Sequence, residues 1–528
     1  MTNPPGSDPG VFSTRLLLCF GAASAALFAI ASARFPHATW PAAVLWGMLL
    51  LGVSRGRSRG RAAWLSLAIS AAMGALASAH LWGIAYYSSA VYVVVIAYHA
   101  LLWGAYGALA SSILRSGSAR SQISAAAAWA LIESVRGVGA FSFPFFFGGM
   151  LASEVYPVQV ASLLGAASVS FVVFVTGLAA ASYLLAWAGD SRLGARRQWL
   201  PGLVVCVATW SFGVLRVHAS PAPRGATLRV SAIQGSVPSW LYSLATGPGP
   251  FRRVVEEHYG ALYRVGRDAG AQLLLFPETA FDWHLRPDTE TIRRIAPFSA
   301  EHLPQGTGVL FGASFSGLEG WESVNGVGVL TGDSKGRPTL RGVVEKRQLV
   351  PFIEVGHKRA DRWLLADVEG TRVGVMVCYE SMYPAAAVHH ANAGADLLVV
   401  LSDDGGMRRS RLGWTHSEQA KLRAIEAGLP LVRAGQAGPS YIIDAFGRTH
   451  ESLGAWEVGT LTSNVTLERR FSLWRILGQW TSSLWLFLAL LDPVLRRREQ
   501  RRSDKAAPAD DRGGAPHGEA RLTPEDPI

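Results

Sequence analysis

Cysteine is almost missing from this chain, with 3 in 528 residues. Cys19 and Cys206 fall inside apolar runs, so Cys378 has no partner for a disulfide within its own domain. Charge is scarce too: 16% of residues are charged, while 50% are hydrophobic. Residues 1–217 hold almost no stretch able to form a soluble surface, which excludes a wholly soluble chain. No internal repeat is present, and the later, more polar part has no basic motif interleaved with aromatic residues. The net charge of +11 therefore makes no case for nucleic-acid binding. The excess lies in clusters beside apolar runs, where Lys and Arg set membrane orientation and meet anionic headgroups.

What the chain does have is a series of apolar runs: Leu16 to Ala33, Trp40 to Val53, Ala62 to Ala79, Ala85 to Leu114, Ile123 to Val135, Pro157 to Trp187, Trp199 to Val217 and Trp474 to Leu495. They give eight spans, although Trp40 to Val53 and Ile123 to Val135 are short for a crossing, so six or seven stays open. With further spans behind it and no clear cleavage site, the first run is expected to be an uncleaved anchor. Basic clusters occur at Arg55 to Arg61, Arg115 to Arg120, Arg192 to Arg197 and Arg496 to Arg502. Eight spans with the N-terminus inside put all of them on the cytoplasmic face and residues 218–472 on the outer one. The expected organisation is a polar tail 1–14, a membrane domain 15–217, a catalytic domain 218–472, a final span 473–495 and a basic, disordered tail 496–528.

Residues 218–472 alternate strand and helix patterns and predict an α/β domain with a well-buried core. Strands are expected at Thr227 to Ile233, Gln272 to Phe276, Gly308 to Ala313, Ser323 to Leu330, Thr371 to Cys378 and Asp396 to Leu401, with others near Leu429, Ser440 and Gly459. Helices are expected at Phe251 to Val265 and Trp414 to Ala427. Three of the strands end on chemistry-bearing residues. Ala271 to Phe276 runs into Pro277-Glu278, a short strand ends at Lys346 with Glu354 just beyond Val350-Pro351-Phe352, and Thr371 to Cys378 ends on its cysteine. A lone cysteine is more often a buried structural residue, and a lone Glu or Lys a surface one. The three together fit another purpose. A thiolate attacks an acyl carbonyl, a carboxylate takes and returns the proton, and an ammonium stabilises the oxyanion. The turn after the Cys378 strand, close to a helix start, is expected to favour thiolate, and the three are expected to converge at one edge of a sheet.

At these residues the chain resembles the nitrilase superfamily, whose members carry a Glu-Lys-Cys triad on an αββα sandwich. It is most similar to the apolipoprotein N-acyltransferase branch, which joins that domain to a membrane domain. Phe276-Pro-Glu-Thr-Ala280, Lys346-Arg-Gln-Leu-Val-Pro-Phe-Ile-Glu354 and Cys378-Tyr-Glu380 carry the resemblance. So does Trp129-Ala-Leu-Ile-Glu-Ser-Val-Arg-Gly in the membrane domain, where Glu133 and Arg136 are ionisable residues at membrane depth on one helix face. The resemblance implies a multi-span α-helical membrane domain plus an α/β nitrilase-like αββα sandwich, with Glu278 as base, Lys346 as oxyanion stabiliser and Cys378 as nucleophile. Asn325, Glu354, Tyr379 and Glu380 are implied as supporting residues. No metal and no cofactor is expected. The implied partners are a phospholipid acyl donor, a diacylglyceryl apolipoprotein acceptor and the membrane itself.

Trp240, Phe281 and Trp283 are candidates for an acyl-binding wall, with ordinary core packing as the alternative. Three departures from the family pattern stand out. Ser402-Asp403-Asp404-Gly405-Gly406 lacks the usual Asn-Asp and aromatic pair, Gln436-Ala437-Gly438 replaces Asn-Asn-Gly, and Ile353 replaces a glycine. They leave open a membrane-tethered amidase or an N-acyltransferase with another amine acceptor, while the intact triad speaks against a non-catalytic scaffold.

Overall fold

The computed structural model describes residues 13–31, 36–54, 57–86, 88–137, 142, 154–187, 198–222, 225–245, 249–299, 303–316 and 323–506. The α-helices of nine residues or more are numbered α1 Thr14–Ala31, α2 Thr39–Ser54, α3 Arg59–Ala77, α4 Ser89–Ile113, α5 Ala119–Val135, α6 Ala166–Trp187 and α7 Leu200–His218 before the α/β domain. Within and after it come α8 Pro250–Asp268, α9 Pro384–Asn392, α10 Arg411–Ala427 and α11 Thr481–Ala506. Among the described residues, four helices are long and apolar enough to cross a membrane: α3, α4 (continued to Ser116), α6 and α7.

Two runs differ from expectation. Pro157 to Trp187 is broken at Gly165, whose φ of +78° ends one short helix before α6 begins. The last helix starts at Thr481 and carries on through Arg496–Arg502 to Ala506 rather than stopping at 495. One of its acidic residues anchors it close to where the apolar run ends. Asp492 is buried and accepts from Ser118 Oγ at 2.9 Å, while Arg496 one turn later pairs with it at 2.8 Å.

The helices pack around a ring cluster of Trp46, Trp103, Trp129 and Phe174, with Trp46–Trp103 and Trp103–Trp129 centroids 4.4 and 4.7 Å apart. Buried Ala125 to Ala130 on α5 let neighbours approach closely. At one end of the bundle the basic segments meet: Arg115 donates to the Arg57 carbonyl at 2.8 Å, and Arg120 pairs with Glu499 at 3.2 Å. Arg192 to Arg197 lies outside the described residues. The α/β domain caps the opposite end.

Among its described residues that domain has thirteen strands in two sheets. The first sheet holds β1 Thr227–Gln234, β2 Leu273–Leu275, β3 Phe281–Leu285, β4 Gly308–Ser316, β5 Ser323–Gly332, β6 Pro338–Glu345 and β13 Gly459–Thr466, ordered β13-β1-β2-β4-β5-β6 with β3 beside β4. The second holds β7 Leu365–Val368, β8 Thr371–Val377, β9 Leu397–Ser402, β10 Leu431–Gly435, β11 Ser440–Ile443 and β12 Thr449–Leu453, ordered β12-β11-β10-β9-β8-β7. Strand sequences show why the sheets stack. In β9, Leu397, Val399 and Leu401 join the layer between the sheets, while Leu398 and Val400 pack under α9 and α10. Both faces are covered, so the strand is continuously apolar. On the far side α8 lays Val255, Tyr259 and Tyr263 over Leu274 and Phe276. The result is four layers, αββα.

Helix α10 joins the two domains. Ala420, Ala424 and Ala427 face the second sheet, whereas Leu422 and Ile425 belong to the core of the membrane bundle. Glu426 accepts from the Ala166 N–H at 2.7 Å, placing a carboxylate on the N-terminus of α6.

Candidate active site

Cys378 follows β8 directly, in the left-handed region at φ +49°. Such a kink costs a residue other than glycine about 1–2 kcal/mol and persists only where its surroundings hold it. Glu380 does much of the holding. Its carboxylate accepts from the N–H groups of Val377 (2.8 Å), Arg347 (2.9 Å) and Gln348 (3.2 Å) and from Trp363 Nε1 (2.9 Å). One buried side chain thereby ties the end of β8 to the segment just past Lys346. Burial pushes its carboxyl up, with the N–H bonds pulling against it.

Lys346 comes immediately after β6, and its Nζ donates to Glu278 Oε1 at 2.9 Å and Glu354 Oε1 at 2.8 Å. Asn325, on β5, donates from Nδ2 to the same two oxygens at 2.8 and 2.7 Å. The other oxygens are also placed: Glu278 Oε2 accepts from the Asp403 N–H at 2.9 Å and Glu354 Oε2 from Val350 N–H at 2.6 Å. Burial draws the Lys346 ammonium down, but Glu278, Glu354 and Cys378 more than reverse this and hold it well above the usual lysine range. Glu354 meets the opposite balance: burial raises it, and Lys346 with its hydrogen bonds brings it below the usual carboxylate value. Gly312 on β4 makes room for this corner, since a Cβ there would lie 2.4 Å from Glu278 Cα.

The Cys378 thiol is the exception. Burial, then the nearby Glu278 charge, push it well above its ordinary range despite Lys346. The expectation of a resting thiolate is therefore corrected. Cys378 opens a short 3-10 turn, α9 begins only at Pro384, and no long helix dipole offsets the desolvation. The site therefore holds a thiol whose burial disfavours its charged form, next to the Lys346–Glu278 ion pair. A second correction concerns placement: Glu278 and Lys346 come from the first sheet and Cys378 from the second, so the three meet across the two sheets rather than at one sheet edge.

Behind the thiol lies a relay that sequence reasoning passed over. His416 Nδ1 is 2.9 Å from Asp404 Oδ1, and its Nε2 is 3.2 Å from the Cys378 carbonyl oxygen and 3.3 Å from Ser381 Oγ. Asp404 Oδ2 accepts from Arg433 at 2.5 Å. Burial opposes charge on Asp404, and Arg433 and His416 override it, holding the carboxyl well below its usual range. Donor atoms of Cys378, Asp404 and His416 lie within 4.8 Å of one another. The Asp404 oxygens are already engaged by Arg433 and His416, so the cluster is built as a hydrogen-bonded relay. Asp403, next along, is pushed up to about 7, by burial first and also by Glu278, against a hydrogen bond from Thr279. Only the acidic pair after the apolar β9 hinted at this group.

Glu278, Asn325, Lys346, Glu354, Cys378 and Tyr379 all line one cavity of about 370 Å³. Its outer wall comes from the membrane bundle: Val91, Val94, Val95 and Tyr98, on one face of α4. Tyr379 donates to the Ser142 carbonyl at 2.9 Å, and the Tyr383 and Ser142 hydroxyls are 2.7 Å apart. Glu133 and Arg136 are buried behind this wall, where Arg136 lies within electrostatic reach of Glu133, Tyr98 and Tyr379. Phe281 and Trp283 are not in the cavity. Both are buried in the layer under α8, with Phe281 against Tyr259, Phe276 and Phe298, so the core-packing alternative describes them. Trp240 sits on a short helix, Ser239–Leu244, and its side chain lies outside the described residues.

Comparison with known proteins agrees with this architecture. Residues 22–179 match the model of the apolipoprotein N-acyltransferase N-terminal domain, and residues 230–473 match that of carbon-nitrogen hydrolase. The apolipoprotein N-acyltransferase of Azotobacter vinelandii is 30% identical over 400 residues, covering 71% of this chain and 73% of that protein. That of Bradyrhizobium diazoefficiens is 27% identical over 431 residues, covering 76% and 78%. With both halves matched and the triad assembled at their junction, the chain belongs to the apolipoprotein N-acyltransferase family.

Proposed function

We propose that this chain transfers a fatty acyl chain from a phospholipid, through a thioester on Cys378, to the α-amine of an N-terminal diacylglyceryl-cysteine on an apolipoprotein. The observation that carries the reading is the single cavity joining Glu278, Lys346 and Cys378 to the apolar face of α4. An acyl chain can enter it from a bilayer without crossing water.

In the first half-reaction Glu278 takes the thiol proton as sulfur attacks the ester carbonyl. The C–S bond forms, Lys346 stabilises the oxyanion, the ester C–O bond breaks, and Glu278 returns the proton to the departing lysophospholipid oxygen. In the second, the acceptor amine attacks the thioester carbonyl and gives its proton to Glu278. The C–N bond forms, C–S breaks, and the thiol is regenerated. Asn325 and Glu354 hold Lys346, while Glu380 and His416 hold the Cys378 turn.

The basic segments at one end of the bundle and the α/β domain at the other support a bacterial inner-membrane protein whose catalytic domain faces the periplasm. Full-length protein in vesicles containing phosphatidylethanolamine, given a diacylglyceryl-cysteine peptide, is expected to yield N-acyl peptide and lysophospholipid together. Lysophospholipid with no N-acyl peptide would refute the acceptor assignment. An acidic Asp403 beside Glu278, where the family has Asn, favours a different amine acceptor as the second reading; small amines replacing the peptide in this assay discriminate the two.

A further inference from the structure

The loop between β9 and α10 has two sides. Asp403 and Met407 face the catalytic cavity, whereas Asp404, Arg408, Arg409 and Arg411 line a second one of about 390 Å³, with Trp414 and Trp456 completing its wall. Among the described residues, no carboxylate lies within ion-pair distance of these three arginines. Asp404 already accepts from Arg433 and His416. The cavity is therefore cationic, and α10 adds the positive end of a 17-residue helix beside it.

Its position decides what it meets. Arg408 lies over the Tyr86 ring at 4.5 Å, Arg411 donates to the Ala29 carbonyl at 3.3 Å near the end of α1, and Leu412 packs with Leu81, Ile84 and Val95. Those contacts put the arginines level with the helix ends on the side of the α/β domain. In a bilayer spanned by these helices this is the headgroup layer, where phosphate is the abundant anion. Guanidinium groups match phosphate oxygens by geometry as well as charge, and the Trp414 and Trp456 rings suit an interfacial depth.

We propose that the Arg408–Arg409–Arg411 cavity is a docking site for the phosphate of an anionic membrane phospholipid, separate from the cavity that takes the acyl donor. Bound there, the lipid holds the loop whose other face carries Asp403 and Met407.

The test uses full-length protein in nanodiscs of phosphatidylethanolamine with or without phosphatidylglycerol, with retained lipid measured by native mass spectrometry. Wild type is expected to retain phosphatidylglycerol over phosphatidylethanolamine. R408Q/R409Q/R411Q should weaken that preference about 10- to 100-fold, and R408K/R409K/R411K, which keeps the charge but not the fork geometry, should keep only part of it. Arg409 has an exposed side chain, so R409E alone supplies a variant with little risk to folding and is expected to lose part of the preference. Undiminished selectivity in R408Q/R409Q/R411Q and R409E overturns the proposal, as does a wild type that treats the two lipids alike. Protection by inorganic phosphate without any phosphatidylglycerol preference overturns it too, leaving a free-phosphate site. Acyl-enzyme formation at Cys378 is followed in parallel. Its retention in R408Q/R409Q/R411Q separates this site from the catalytic one.

Discussion

The two sheets bring opposite kinds of chemistry to the same cavity. The first delivers Glu278, Lys346, Glu354 and Asn325 as a closed network, with carboxylates and ammonium satisfied at 2.7–2.9 Å. The second delivers a thiol on a strained backbone, held by Glu380 from one side and the Asp404–His416 relay from the other. The difference teaches where the work is divided. The first sheet's charges are already paired in the folded protein, whereas the Cys378 thiol is positioned in a place that disfavours its ionisation.

Breaking the second sheet's contribution is expected to have the largest effect. Cys378→Ala should abolish acyl transfer, a loss of about 10⁴-fold or more in product formation, with unchanged membrane insertion. On the first sheet, Glu278→Gln and Lys346→Ala should each lower the rate of acyl-enzyme formation by about 10²–10⁴-fold. Full activity in either would show that the network is structural.

Smaller changes sharpen the contrast. Glu380→Ala leaves four N–H groups without their acceptor and should cost about 3 kcal/mol of stability, visible as a lower melting temperature together with a slower acylation burst. His416→Gln should slow the burst about tenfold while leaving the melting temperature nearly unchanged, because Gln keeps a donor near the Cys378 carbonyl but not the span to Asp404. Equal effects on melting and burst would reduce His416 to packing.

The smallest effect concerns pH. Asp403 is held up at about 7 from an ordinary 3.8, so the folded protein binds this proton more tightly than the unfolded chain. Its stabilising contribution is full below 3.8, declines from there to about 7, and stays lost above. Ionised Asp403 also puts a second negative charge beside Glu278. The pH profile of acylation should therefore show an inflection near 7 that Asp403→Asn removes.

Legibility in the sequence followed the same division. Glu278 and Cys378 were visible because each comes at or just past the end of an apolar strand, where a polar residue has to be explained, and Lys346 because it ends a short strand just before the Val350-Pro351-Phe352 turn and Glu354. Phe281 and Trp283 were left open between an acyl wall and the core because an aromatic residue near a strand looks the same whether it faces a cavity or the core. His416 was hidden for a different reason. Helix α10 carries Glu418, Lys421, Arg423 and Glu426, a composition that suggests a solvated face, yet it is buried between the second sheet and the membrane bundle. Only contact between domains makes those residues interior, and no local pattern encodes that contact. The relay between Asp404, His416 and Cys378 is assembled by it.

The most direct measurement is intact-mass and peptide-mapping spectrometry of the full-length protein trapped after exposure to phospholipid with no amine acceptor. The account predicts one added acyl group, linked as a hydroxylamine-labile thioester to Cys378, formed by wild type, strongly reduced in Glu278→Gln and cleared when the acceptor peptide is added. An acyl group on any other residue, or product formation without an adduct on Cys378, would contradict it.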